Sequence, residues 1–205
     1  MGANIPKRVL RAILLSTAFT LFFYYILVLV LTFPISHPDI TLKIEQRMTD
    51  WVEQVVLPIK IARLSWLPAD KEVLMPVYGI RIREIQDSWQ APRPDGRFHE
   101  GQDIFANKRT PVFSGTYGYV VRLGIADLGG NYVYIAGAGG RRYYYAHLDR
   151  IADGLKRGQA VTIDTVLGFV GNTGNAEGTP YHLHFGIYVN RRAINPLPIL
   201  INRPQ

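Results

Sequence analysis

The sequence predicts a mostly β domain, a two-sheet antiparallel β-sandwich or barrel-like fold, preceded by one transmembrane helix and an amphipathic linker helix. Three observations carry this. Nineteen glycines and 13 prolines in 205 residues suit a turn-rich chain of short strands, not long helices. From Val73 onward short apolar runs alternate with glycine turns, and no helical periodicity of any length appears. Ahead of Val73 stand an uncharged run of membrane-spanning length and a stretch with helical apolar spacing. The expected division is residues 1–11 as a cytoplasmic N-terminus, 12–33 as the transmembrane helix, 34–72 as a stalk and 73–205 as the β domain.

The 22 residues 12–33 contain no charge and are rich in Leu, Phe, Tyr, Ile and Val. At about 1.5 Å per residue, such a helix crosses a hydrocarbon layer of about 30 Å. Lys7, Arg8 and Arg11 precede it, while Pro34 and Asp39 follow. Positive charge marks the cytoplasmic side, so the β domain is expected outside the cytoplasmic (inner) membrane, in the periplasm of a cell that has one. A cleaved signal peptide has a shorter apolar region and a small-residue cleavage site. The word Leu31-Thr32-Phe33-Pro34-Ile35 offers none, so a single-pass anchor is expected.

Residues 40–56 read as an amphipathic helix. Ile44, Met48, Trp51, Val52 and Val55 follow helical spacing, with Glu45, Arg47, Asp50 and Glu53 between them. Asp39 is placed to cap it and Pro58 to end it. Such a helix packs on the domain, occludes its groove or meets a second copy of the chain, so self-association through residues 40–56 is one expectation. Residues 57–71 look irregular. In the β domain, residues 112–121, 131–136, 142–147, 166–170 and 181–190 are strand-like, and Gly137-Ala138-Gly139-Gly140 is a hairpin turn between two of them.

Charge narrows the function classes little. The formal net charge is +7. With the three N-terminal cations set aside, 20 basic residues face 16 acidic ones, a mild excess that suits an anionic polymer such as cell wall. The arginines are scattered, with no basic stripe interleaved with aromatics, so no nucleic-acid partner is expected. The absence of cysteine excludes disulfides and thiolate ligands, leaving any metal site to His, Asp and Glu.

The histidines carry the chemistry. In the strand Tyr181-His182-Leu183-His184-Phe185-Gly186, residues two apart share a face, so His182 and His184 project together while Leu183 and Phe185 turn to a core. His99 and Asp103 stand four apart, with Gly101 permitting a sharp turn between them. One imidazole nitrogen and one carboxylate oxygen from that pair, with His184 as third ligand, make two His plus one carboxylate with an open fourth position, a catalytic zinc pattern. His147 ends the run Tyr143-Tyr144-Tyr145-Ala146. Glu100, beside a ligand, faces the other way and reads as surface. The three tyrosines read as strand filler and groove wall, and Tyr117 and Tyr181 as minor contributors to a cleft. Asn172 and Thr173 read as a loop rimming the site. Asp149 reads as a turn cap and His37 as a solvated linker residue.

These residues resemble the LytM/lysostaphin-type zinc endopeptidases. The resemblance is carried in order by His99-x-x-x-Asp103, Tyr145-Ala146-His147-Leu148, Gly171-Asn172-Thr173-Gly174 and His182-Leu183-His184-Phe185. It covers about residues 73–200. It implies a two-sheet β fold, one Zn2+ held by His99, Asp103 and His184, and catalytic roles for His147 and His182. It also implies hydrolysis of peptide bonds in peptidoglycan stems or cross-bridges. The word Asn107-Lys108-Arg109 departs from the small residue and glycine usual in the family, and the segment 124–130 is atypical; both bear on substrate choice. The expectation is a membrane-anchored zinc endopeptidase acting on peptidoglycan cross-links. The alternatives are a non-catalytic wall-binding or regulatory module of the same fold, and a protease with an extracytoplasmic protein substrate.

Overall fold

The computed structural model describes residues 20–25, 46–47, 52–93 and 96–204. The chain divides into two units, Met1–Thr49 and Asp50–Gln205. In the first, residues 20–25 are helical with exposed side chains, and residues 46–47 are helical. The rest of the expected transmembrane helix, with His37 and most of the amphipathic segment 40–56, lies outside the described residues. Among the described residues no helix is long and apolar enough to cross a membrane.

The second unit begins with a π-helical turn, Val52–Val56, that runs into helix α1, Leu57–Ser65. Residues 57–71 were expected to be irregular, with Pro58 as a stop. Instead Pro58 sits in the first turn of α1. There its fixed φ suits the helix, which continues from the π-helical turn through it to Ser65. Leu57 is buried, whereas Ile59 and Trp66 are exposed.

Eleven strands follow: β1 (Val73–Leu74), β2 (Gln102–Phe105), β3 (Pro111–Phe113), β4 (Gly118–Ala126), β5 (Gly130–Ala136), β6 (Arg142–Ile151), β7 (Ala160–Val161), β8 (Val166–Val170), β9 (His182–Val189), β10 (Arg192–Ile194) and β11 (Leu200–Ile201). β1 and β11 form a small parallel pair. The other nine make one continuous antiparallel sheet in the order β10-β9-β6-β5-β4-β7, with β2 on β9 and β8 joining β3 to β6. The mostly β, antiparallel expectation holds. The expected strand 112–121 is two strands, β3 and β4. The chain turns at Ser114-Gly115-Thr116-Tyr117, where a Cβ on Gly115 would stand 2.7 Å from Val73 Cγ1 and the amide donates to the Tyr145 hydroxyl at 3.0 Å.

Alternation along the strands separates the core from the site. Leu183, Phe185 and Ile187 of β9, Val133 and Ile135 of β5, and Tyr143 and Tyr145 of β6 are all fully buried. The phenol ends of those tyrosines are satisfied, Tyr145 by the Gly115 amide and Tyr143 by donating to Asp70 Oδ2 at 3.1 Å. So the three tyrosines divide: Tyr143 and Tyr145 belong to the core, and Tyr144 to the opposite face with His184. Strand β6 is long because it serves both parts of the sheet. Its first half pairs with β5 and β9, and its last residues with β8. The change happens at a bulge: Asn131 pairs with Leu148 but Val133 with Tyr145, which leaves one extra residue on β6. His147 lies in that bulge, with φ of 61°, a left-handed conformation uncommon outside glycine and asparagine.

Candidate metal centre

Asp103 on β2 pairs directly with His184 on the neighbouring β9, so the two side chains share a face by register alone. His99 precedes β2 and is clamped by two backbone bonds, its amide to Ala91 O and its carbonyl from the Gln90 amide. Its Nδ1 lies 2.7 Å from the Ser88 carbonyl. Donation to that carbonyl fixes the tautomer and leaves Nε2 as a lone pair. The three donor atoms then converge. His99 Nε2 to His184 Nδ1 is 2.8 Å, His99 Nε2 to Asp103 Oδ1 is 3.0 Å, and His184 Nδ1 to Asp103 Oδ1 is 3.1 Å. Tetrahedral zinc with bonds of about 2.0–2.2 Å has donors about 3.3–3.5 Å apart, so this triangle needs only a few tenths of an ångström to accept the ion. Among the described residues these three form the group placed to hold a metal.

Glycine permits this geometry. A Cβ on Gly101 would stand 2.7 Å from His184 Cε1 and 2.7 Å from the Phe185 carbonyl oxygen. The imidazole thus lies directly on the backbone of the turn into β2.

Residues that sequence reasoning missed brace the centre. Gln102 is fully buried, and both ends of its amide are engaged. Its Oε1 accepts from the Ser88 amide at 2.9 Å and the Ser88 hydroxyl at 2.8 Å, and its Nε2 donates to Asp87 Oδ1 at 2.5 Å. The Ser88 hydroxyl also accepts from the Asp103 amide at 2.9 Å. The loop 87–88 is stapled to β2, and its Ser88 carbonyl orients His99. Arg93 reaches the other carboxylate oxygen, Asp103 Oδ2, at 3.3 Å. The only local signal for any of this is a glutamine between two candidate ligands; the partners lie 14 residues away in a loop without periodicity.

Burial by itself raises the Asp103 carboxyl, but hydrogen bonds and charge from His184 and His99, when those rings carry a proton on the nitrogen that faces it, hold it well below the usual carboxylate range. Burial lowers His184 against the support of Asp103. Burial, aided by His184, also pushes His147 down to about 4.

His147 and His182 stand beside the triangle. Their rings are 5.1 Å apart, and the His147 ring is 5.8 Å from that of His184. Each has Nδ1 on a backbone carbonyl, His147 on Thr173 at 2.9 Å and His182 on Pro180 at 2.8 Å, which leaves Nε2 free to accept a proton. The His182 Nε2 is 3.9 Å from Asp103 Oδ1. The loop Asn172-Thr173 does rim the site, with the Thr173 hydroxyl donating to Leu148 O and accepting from the Asn131 amide. Glu100 is exposed. Asp149, expected as a turn cap, instead accepts from Lys108 at 3.3 Å and Arg109 at 3.2 Å. It thereby pins the atypical Asn107-Lys108-Arg109 turn to β6. Tyr181 lies at the rim under the Lys108 ammonium, and Tyr117 is exposed on the turn 114–117.

Five side chains, from the turn before β2, from β2, from β6 and two from β9, thus meet at one mouth, three as convergent donors and two as further imidazoles, which is the apparatus of a hydrolase. Residues 97–196 match the model of peptidase family M23. The chain is 40% identical over 110 residues to an L-Ala–D-Glu endopeptidase of Bacillus subtilis, covering 50% of this chain and 34% of that protein. It is similar to a zinc containing peptidase from Vibrio cholerae, with 28% identity and a TM-score of 0.53 over 63% of this chain and 39% of that one. It is also similar to the catalytic domain of the antimicrobial peptidase lysostaphin from Staphylococcus simulans, with 29% identity and a TM-score of 0.50 over 57% of this chain and 92% of that domain. The chain spans about a third or less of the length of the curated relatives it matches. Residues 97–196 form a peptidase family M23 domain of the LytM/lysostaphin type.

Proposed function

We propose that this protein is a membrane-anchored, zinc-dependent endopeptidase that hydrolyses peptide cross-links of peptidoglycan outside the cytoplasmic membrane. The observation that carries the reading is the triangle of His99 Nε2, Asp103 Oδ1 and His184 Nδ1, with sides of 2.8–3.1 Å, beside two further imidazoles. Peptidoglycan as substrate is supported by the activities named for the relatives, and the anchor by the apolar run 12–33 behind three cations.

His99, Asp103 and His184 would hold the ion, and the donor set of two imidazoles and one carboxylate fits a catalytic zinc with one position open to substrate. When bound, the ion supplies Lewis acidity to the scissile carbonyl and acidifies water at its open position. The chain's own groups do the rest. His147 and His182 each keep Nδ1–H on a carbonyl, so each presents a basic Nε2 toward the mouth. One takes the proton of the attacking water, and the charged ring then returns it to the departing amine. The other, when it carries a proton on Nε2, donates to the negative oxygen that develops at the carbonyl. Arg93, on Asp103 Oδ2, keeps Oδ1 as the ligating atom.

Purified sacculi incubated with the full-length protein should release uncrosslinked muropeptides, with loss on chelation and recovery on adding zinc. Sacculi that yield no fragment with or without zinc would remove the wall-hydrolase reading.

A further inference from the structure

The sheet face that carries the metal centre continues as a floor. In register across it lie His184 beside Ala146, then Gly186 beside Tyr144 beside Tyr134 beside Arg122, then Tyr188 beside Arg142 beside Ala136. Side chains opposite one another share a face, so these residues pave one surface in successive rows. The middle row is flat. Tyr134 and Tyr144 stack with centroids 4.3 Å apart and planes at 20°, and Tyr144 meets His184 edge-on at 5.8 Å. Gly186 leaves room for the Tyr188 ring, whose Cε2 would lie 2.9 Å from a Cβ there.

Arg142 closes this floor. It is half-buried, and burial lowers its guanidinium from the ordinary value with no charged neighbour as a further cause. Among the described residues no carboxylate pairs with it and no acceptor lies within hydrogen-bond reach of it. The other half-buried arginines, Arg141 and Arg203, are satisfied, and so is the exposed Arg93. Arg203 donates to the carbonyls of Ile163 and Ser114, Arg141 donates to that of Asp70, and Arg93 meets Asp103. A sheltered cation without a partner is costly unless a ligand supplies the partner, and the planar guanidinium fork matches a carboxylate in both shape and charge.

We infer that Arg142 is a receptor for a carboxylate of the substrate peptide, reached along the tyrosine floor and lying two to four residues from the scissile bond. The spacing follows from the strand: Arg142 is four residues from Ala146, which pairs with His184, and an extended peptide rises at the same rate of about 3.3 Å per residue. The inference rests on the peptidase reading above and narrows its substrate to acidic peptides.

The test uses the full-length chain with two cross-linked stem-peptide dimers, identical except that the carboxyl groups along the stem are free in one and amidated in the other. The wild type should favour the acid over the amide by about tenfold to a hundredfold in kcat/KM, mainly through KM, as for a charge-assisted contact. Arg142→Gln should bring that ratio to about one, and Arg142→Glu should invert it, with zinc content equal in all three. A wild-type ratio near one, or a ratio unmoved in Arg142→Gln, overturns the receptor. Should the glutamine form fail to fold, Arg142→Lys, which keeps the charge and loses the fork, should lower the ratio severalfold; an unmoved ratio there overturns the receptor equally. If the wild type cuts neither dimer, the peptidase reading fails, and calorimetric binding of the same pair judges Arg142 alone. Tighter acid binding that Arg142→Gln abolishes keeps the receptor, and equal binding of acid and amide ends it.

Discussion

Gly101→Ala should cost the protein its metal without touching a ligand. The added Cβ would meet His184 Cε1 at 2.7 Å and the Phe185 carbonyl oxygen at 2.7 Å. Ordinary contact for such atoms begins at about 3.4 Å, so something must move by about 0.7 Å, and close-packed surroundings resist such movement. The carbonyl belongs to the β2–β9 ladder and yields little. The imidazole of His184 is the softer partner, and its Nδ1 stands in the triangle. Metal–donor distances tolerate about 0.2 Å, so a displacement several times larger loosens one of three ligands. Zinc affinity is expected to fall at least tenfold to a hundredfold, the range seen for disturbance around metal ligands. The added bulk should also lower stability by about 1–3 kcal/mol. Competition with a zinc-binding dye measures the first and denaturant unfolding of the metal-free protein the second. Excess zinc should restore part of the activity. A Gly101→Ala protein with wild-type zinc affinity would show that the close approach of His184 to this turn does not set the centre.

Three further outcomes follow from the same structure. His147→Asn suits the left-handed backbone at this position; it should keep zinc bound while lowering kcat by about a hundredfold or more, the scale of a lost proton-transfer group, and loss of zinc would instead make His147 a ligand. Because His147 is pushed down to about 4 from 6.5, the unfolded chain binds a proton between those values that the folded chain refuses; metal-free protein should therefore lose stability as pH falls from 6.5 to 4, by up to about 3 kcal/mol from this group. The His147→Asn form should show a shallower slope over that window in pH-dependent chemical denaturation, and an unchanged slope would locate the proton elsewhere. Phe185→Ala removes a fully buried ring that packs on Tyr145 at 5.1 Å; unfolding should show a loss of about 3–5 kcal/mol, whereas a loss below about 1 kcal/mol would mean that the core relaxes into the gap.

What was legible in the sequence follows from period and chemistry. The two-residue period of β9 placed His182 and His184 on one face and Leu183 and Phe185 in the core, because a strand leaves no other arrangement. The five-residue span from His99 to Asp103 was legible as a ligand pair since few other donors exist in a chain without cysteine. What escaped was non-local. Strand β2 is short and begins beside a glycine, so it carries too little alternation to be seen. The bulge at His147 is a property of the β5–β6 register and leaves no mark in either strand alone. The bracing of Ser88 by Gln102 joins a strand to an aperiodic loop. Pro58 was misread because the same residue that stops a helix also starts one. The division of Tyr143, Tyr144 and Tyr145 between core and floor was available from alternation, but which tyrosine faces the site depends on register with β9.

The most direct test of the account is a zinc-edge anomalous diffraction map of the full-length protein grown with zinc. It should show one ion per chain, bonded to His99 Nε2, Asp103 Oδ1 and His184 Nδ1, with the rings of His147 and His182 near it but unbonded. An ion held by a different set of side chains, or none at this triangle at saturating zinc, would contradict it.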